Sequence, residues 1–280
     1  MNNRALIVSI ASLKGGVGKT AITSLLARYF TEIEGKQVLV VDFDGRGGIT
    51  SLFHHKSISE DMPTVVDLLQ DVFKGINPTD TFSKAVIQTG LEKKYGWDDN
   101  GGSLFLLPCD PSLDDYLPYK DSYLLKDVLC NINFSEENII LIDSGADITN
   151  IKMSVAAADI IFLPLILGKQ DVHPSIETIR AIVIEQSKNG SPYFGGIVLN
   201  QNGDTQWENT YIENYQQVLN KFIRRANFKC VDEKNLIRLK QSRIIKRGTH
   251  LCWSWREDIM NSAKEIAEII HKFDNQKNGV

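Results

Sequence analysis

A glycine-rich segment, SLKGGVGKTA (residues 12–21), separates an apolar run, Ala5–Ala11, from a stretch in which Ile22, Leu25, Leu26, Tyr29, Phe30 and Ile33 recur at helical spacing. Strand, glycine loop and amphipathic helix in that order put the loop at a helix N-terminus. Backbone N–H groups and the positive end of the helix dipole converge there on a bound anion. Gly15, Gly16 and Gly18 have no Cβ to hold a phosphate away, Lys19 is placed to reach β- and γ-phosphates, and the Thr20 hydroxyl can ligate Mg²⁺. The usual phosphate loop, G-x-x-x-x-G-K-[ST], has glycine where this chain has Leu13, and needs one lysine where this chain has Lys14 and Lys19.

Five further apolar runs follow: Gln37–Val41, Leu104–Leu107, Ile139–Ile142, Ile160–Leu167 and Gly196–Leu199. Most are separated by longer stretches with helical patterning. Short buried strands alternating with helices imply an α/β fold, a mostly parallel twisted sheet with helices on both faces. At 280 residues with 42% hydrophobic and 24% charged positions, the chain can bury such a core and stay soluble. The polar stretch LEKKYGWDDNGGS (91–103) reads as a surface insertion, and residues 275–280 as a flexible tail; no linker justifies cutting residues 1–274 into two domains. No run approaches the length of a membrane span, and Met1–Arg4 is too short for the charged region of a secretory signal, so the expected location is the cytoplasm. Cys109, Cys130, Cys230 and Cys252 have no metal-ligand spacing and read as reduced thiols.

Three acids end predicted strands. Asp42 and Asp44 follow the second run, and alternation along an extended segment puts both on one side, facing the phosphates across the carboxyl edge of the sheet. Asp143 ends the strand IILID, as an acid does when it holds Mg²⁺ through water. One such acid means little, because turns favour Asp; three around a phosphate loop mean more.

With these residues in place the chain resembles the ParA/MinD family of deviant-Walker P-loop ATPases, and within it the ParA-like (Soj-like) partition ATPases. The resemblance rests on KGGVGKT (14–20), GKQVLVVDFDGRGGIT (35–50), LFLLPCD (104–110), IILIDSG (139–145) and AADIIFLPL (157–165), which span most of the first 200 residues in the family's order. It implies a single P-loop NTPase domain that binds ATP and Mg²⁺. The nucleotide cradle would be Lys14, Gly15, Gly16, Val17, Gly18, Lys19, Thr20 and Ala21, with Ala21 in place of a common second threonine. Thr20, Asp42 and Asp143 would serve the metal. Lys14 matches the lysine that reaches the phosphates of a partner subunit in an ATP-sandwiched dimer, which makes pairing depend on ATP. Asp44 matches the acid that positions the attacking water, so the catalytic set would be Lys14, Lys19 and Asp44. The chain departs from the family in Gly45, Arg46 and Gly48, where Pro, Gln and Asn are usual, and in Ser144, Gly145 and Ala146, where D-x-P-P is usual.

Charge indicates which surface a dimer would bind. Between residues 221 and 250 ten Lys or Arg face two acids, +8, which leaves −12 for the rest of a chain whose net charge is −4. A localised polyanion-binding face needs such asymmetry, because neutralised phosphates release counterions while acidic surface elsewhere limits clumping. Lys221, Arg224, Arg225, Lys240, Arg243, Lys246 and Arg247 are the residues expected to touch DNA of any sequence. The stretch Trp255–Phe273 is amphipathic, but three basic residues face four acids, which suits packing on the sheet better than an anionic bilayer. The expectation is a nucleoid-associated ATPase that positions a plasmid, chromosome region or protein assembly, with a ParB-like or other cargo adaptor stimulating hydrolysis. The alternatives are a MinD-like membrane-associated ATPase and a nucleotide-binding switch that scarcely hydrolyses.

Overall fold

A computed structural model describes residues 4–54, 59, 61–96, 99–116, 121–132, 134–135, 137–166, 172–202, 209–210, 212–213, 216–217, 228–231, 236–240 and 257–278. In chain order the elements are β1 (Leu6–Ile10), α1 (Lys19–Arg28) continuing as a π-helical turn (Tyr29–Ile33), β2 (Gln37–Phe43), α2 (Gly48–Phe53), α3 (Val65–Phe73), α4 (Thr79–Ala85), β3 (Ile87–Gln88), α5 (Leu91–Tyr95), β4 (Ser103–Leu107), α6 (Leu113–Tyr116), α7 (Leu124–Asn131), β5 (Ile139–Ser144), α8 (Ile148–Ala157), β6 (Ile160–Leu165), α9 (Val172–Asn189), β7 (Tyr193–Asn202), β8 (Leu236–Lys240) and α10 (Glu257–Asn278). The strands form one eight-stranded sheet in the order β3-β4-β2-β5-β1-β6-β7-β8. Every described pairing is parallel except that of the two-residue edge strand β3 with β4.

Both faces are covered, as the continuous apolar runs require. Leu6, Val8, Ile10, Val38, Val40 and Leu141 pack with α1 and α10 on one face. The alternate residues Ile7, Leu39, Val41, Leu107, Ile140 and Ile142 pack with α3, α7 and Met153 of α8 on the other. α1 buries Ile22, Leu25 and Leu26, and Tyr29 and Phe30 continue that stripe through the π-helical turn. Ile33, expected on the same stripe, is exposed: the turn winds more loosely than an α-helix and carries it off the buried side.

All six expected strands are present, and two more join them. Two expectations about loops are corrected. The stretch 91–103 is not wholly a surface insertion: α5 opens it with Leu91 and Glu92 buried, Gly102 lies so close to the Thr31 carbonyl that a Cβ there would sit 2.0 Å from it, and Ser103 already belongs to β4. Residues 275–278 are not a tail. α10 runs to Asn278, and Lys277 Nζ donates to Asp159 Oδ1 at 3.2 Å. Ala263, Ile266, Ala267, Ile270 and Phe273 of α10 are all buried, so its apolar stripe is spent on the core, at roughly 1.5–3 kcal/mol for each large side chain.

Candidate nucleotide-binding site

Register places the site. In the parallel sheet Ile10 lies beside Asp143, and Asp143 beside Asp42, so the last residue of β1 and two acids share one row at the carboxyl edge. Residues 11–18 leave β1 there and enter α1. Gly18, at φ +96°, is the N-cap of α1 and offers no side-chain cap, so the first N–H groups of the helix face the loop without an internal acceptor from that position. Ideal Cβ atoms on Gly15 and Gly16 would meet nothing within 4 Å, and both residues are exposed, which leaves the concave side of the loop open.

Lys19 is only 7% exposed, and its Nζ donates to the carbonyls of Ser12 and Lys14 at 3.1 Å each. Burial lowers its pKa, while the nearby charges of Asp143 and Asp44 pull the other way. The ammonium therefore spans the loop, fixed against its backbone at the point where a triphosphate would need it. Lys14, half-buried, ties its own N–H to Ser12 Oγ at 3.3 Å. The far side of the loop is held by Leu13 N donating to Thr178 Oγ1 of α9 at 3.2 Å.

Thr20 and Asp143 meet directly: Thr20 Oγ1 donates to Asp143 Oδ2 at 2.7 Å, and Thr23 Oγ1 lies 3.5 Å from Oδ1. Asp143 is fully enclosed, and burial, with the charge of Asp42 adding to it, pushes its carboxyl up to about 8. A hydroxyl and a hard carboxylate oxygen beside a lysine are the donor set that Mg²⁺ on a phosphate takes, and a cation there would relieve the buried acid.

Asp42 lies beside Asp143 at the carboxyl edge, and its oxygens are engaged within the chain. It is wholly buried, and both oxygens are engaged: Oδ2 accepts from Thr50 N at 2.9 Å and Thr50 Oγ1 at 2.6 Å, and Oδ1 accepts from Asp44 N at 3.2 Å. Burial raises its pKa to about 6 against those hydrogen bonds. Asp42 thus anchors α2 and the turn that carries Asp44, and acts on Asp143 through its charge. Asp44 sits beyond the end of β2 in that turn, half-buried, with Oδ1 accepting from Arg46 N at 3.1 Å.

Two residues of the site have no role assigned from the sequence, although Thr50 closes the motif 35–50. Thr50 is the partner of Asp42. Asn200, buried near the end of β7, donates from Nδ2 to the Val17 carbonyl at 3.0 Å, and a Cβ on Gly18 would come within 2.1 Å of the same nitrogen. Gly18 therefore serves two needs, a left-handed φ and room for Asn200. Of the residues expected to touch DNA, Lys221, Arg224, Arg225, Arg243, Lys246 and Arg247 lie outside the described residues. Lys240 ends β8 on the same carboxyl edge as the loop.

A parallel sheet whose central strand feeds a glycine loop and helix, with a lysine, a threonine and a strand-end acid converging, defines a P-loop nucleotide-binding protein. Residues 8–248 match the model of the CobQ/CobB/MinD/ParA nucleotide binding domain, and the chain belongs to that family. It is 26% identical over 189 residues to plasmid partition protein A of Escherichia coli, covering 64% of this chain and 47% of that protein, so the chain spans about half the length of the curated relative it matches. Among solved structures it is similar to the ATP complex of a McdA variant from Cyanothece (20% identity, 96% of this chain and 97% of that one, TM-score 0.71). A putative plasmid partition protein from Borrelia burgdorferi bound to AMPPNP matches with 18% identity, 96% and 99% coverage and TM-score 0.68. Cobyrinic acid a,c-diamide synthase from Mycobacterium smegmatis with ADP and magnesium matches with 19% identity, 99% and 97% coverage and TM-score 0.65.

Proposed function

We propose that the protein is a ParA-type ATPase that pairs on ATP, holds DNA without sequence preference and is reset by hydrolysis that a cargo-bound, ParB-like partner stimulates. The observation that carries this reading is the hydrogen bond of Thr20 to Asp143 at 2.7 Å beside the loop-bound ammonium of Lys19. Thr20 and Asp143 would hold Mg²⁺, which supplies charge neutralisation on the β- and γ-oxygens. Asp44 orients a water for attack on the γ-phosphorus. The bond to the bridging oxygen of the β-phosphate breaks, and ADP and inorganic phosphate leave. Lys19 stabilises the transferred charge from its own chain and Lys14 from the second subunit.

The likeness to plasmid partition protein A and to a plasmid partition structure supports the partition role, and the basic segment 221–250 supports DNA as the surface bound. A nucleoid-associated, cytoplasmic location follows from that role. The membrane alternative is weakened by α10, whose apolar stripe is buried in the protein, and among the described residues no helix is long and apolar enough to cross a membrane.

Sedimentation equilibrium of the full chain with Mg–ATP, run with and without Asp44→Ala, tests the reading. A dimer with ATP that vanishes in Lys14→Ala supports it, and a monomer under all conditions removes it. For the DNA limb, Arg224→Ala with Arg225→Ala should weaken binding to random-sequence duplex and lower the log–log salt slope by about 0.9 for each phosphate no longer neutralised. Unchanged binding would place the polyanion face elsewhere.

A further inference from the structure

The turn after β2 carries an arginine at a position of unusual control. Gly47 N donates to the Asp44 carbonyl at 2.8 Å and closes the turn Asp44–Gly47. Both flanks run close to neighbouring side chains. A Cβ on Gly48 would lie 3.5 Å from Thr20 Oγ1, and a Cβ on Gly45 would lie 2.9 Å from the Asp114 carboxylate. With Asp42 holding Asp44 N, the turn starts beside the acid row and passes close to Thr20 of the loop helix.

Arg46 is at the tip of this turn. Its N–H donates to Asp44 Oδ1, its Nε lies 3.8 Å from the same oxygen, and its side chain is 74% exposed. The guanidinium is thus close to the acid assigned to the water, yet loosely held. An exposed pair at that distance is weak, so a stronger anion displaces it readily. The Lys19 ammonium also feels the Arg46 charge. Near the Thr20 end of the loop the cations Lys19 and Arg46 therefore accompany the carboxylates of Asp143 and Asp44, and a terminal phosphate, with several oxygens for a planar fork, would give the exposed guanidinium a stronger partner than Asp44.

We infer that Arg46 is a ligand of the γ-phosphate supplied by the same chain, and that it makes the site tell ATP from ADP. This rests on the ATPase reading above. When the terminal phosphate is bound, the guanidinium exchanges Asp44 for a phosphate oxygen, and Asp44 is released to orient the water. The residue is distinct from Lys14, which would act across a dimer, and from Lys19, which reaches the β- as well as the γ-phosphate.

Titration calorimetry with Mg–ATPγS and with Mg–ADP tests the inference, on wild type, Arg46→Ala and Arg46→Lys, and again in a Lys14→Ala background so that a second subunit's lysine does not contribute. Arg46→Ala should weaken ATPγS by about tenfold or more and leave ADP within about twofold, with Arg46→Lys between; single-turnover hydrolysis should fall at least as far as ATPγS affinity. If wild type binds both nucleotides and Arg46→Ala keeps the wild-type ratio, or loses both equally, the role of Arg46 is overturned while the ATPase reading stands. If wild type binds neither nucleotide, both fall together.

Discussion

Two buried acids stand at opposite edges of the sheet, and they are treated in opposite ways. Asp159, at the amino edge before β6, accepts from Arg4 Nη1 and Nη2 at 2.8 and 2.9 Å, from Ile7 N at 3.0 Å and from Lys277 at 3.2 Å. Its charge is matched within the chain, and it joins the first strand to the last helix. Asp143, at the carboxyl edge, has hydroxyl partners and a lysine whose own protons go to loop carbonyls, and burial drives its carboxyl toward the protonated form. A fold that balances one acid and leaves the other short of positive charge has placed the second where a cation from outside completes it.

The contrast can be broken by replacing each acid in turn. Asp159→Ala should cost about 2–4 kcal/mol in chemical denaturation, because two cations and the buried Ile7 N–H lose their acceptor, and should leave nucleotide affinity unchanged. Asp143→Asn should do the reverse, raising stability by about 1–3 kcal/mol while Mg²⁺-dependent hydrolysis falls about a hundredfold or more. The sign follows from the raised pKa. The folded state holds the proton more tightly than the unfolded chain, so this contribution is complete below about pH 4 and is lost as pH rises through about 8. Denaturation of wild type and variant between pH 5 and 9 should show a slope in the first that is flatter in the second. Equal effects of the two substitutions would dissolve the distinction between the edges.

Smaller changes sharpen it. Asn200→Ala removes the donor to the Val17 carbonyl and should cost about 1 kcal/mol, with nucleotide affinity reduced several-fold in calorimetry. His271→Ala on α10 should have the least effect. His271 Nε2 and Glu34 Oε1 are 2.8 Å apart, and that hydrogen bond raises the imidazole pKa. Its contribution is present below the ordinary histidine value near 6.5 and disappears as pH rises through the folded one; at 44% exposure it is under about 1 kcal/mol, read as a small wild-type excess in stability at about pH 5.5 that is gone at about pH 8.

The loop and the sheet were legible because their signals are local. Three glycines and two lysines within seven residues, between an apolar run and a helical stripe, admit few structures. β8 was not legible, because Arg238 and Lys240 alternate with its apolar residues and read as part of a basic run. The end of α10 was missed because a polar terminus resembles a tail until Lys277 finds Asp159, 118 residues away in sequence. Asp42 and Asp44 do have the spacing that puts them on one side of a strand, but spacing cannot say that Thr50 would return to occupy the first of them. Asn200 is one polar residue in a strand, and only the folded chain brings it to Val17.

The row formed by Ile10, Asp143 and Asp42 also determines where the gene tolerates editing. A single residue added or removed inside β2 or β5 would rotate every later side chain of that strand by half a turn, pointing an acid at the opposite layer of helices. A codon gained in the turn around Gly75 would fall within the exposed stretch 73–77. Diversity among functional variants should therefore gather in the connections, with strand lengths held constant.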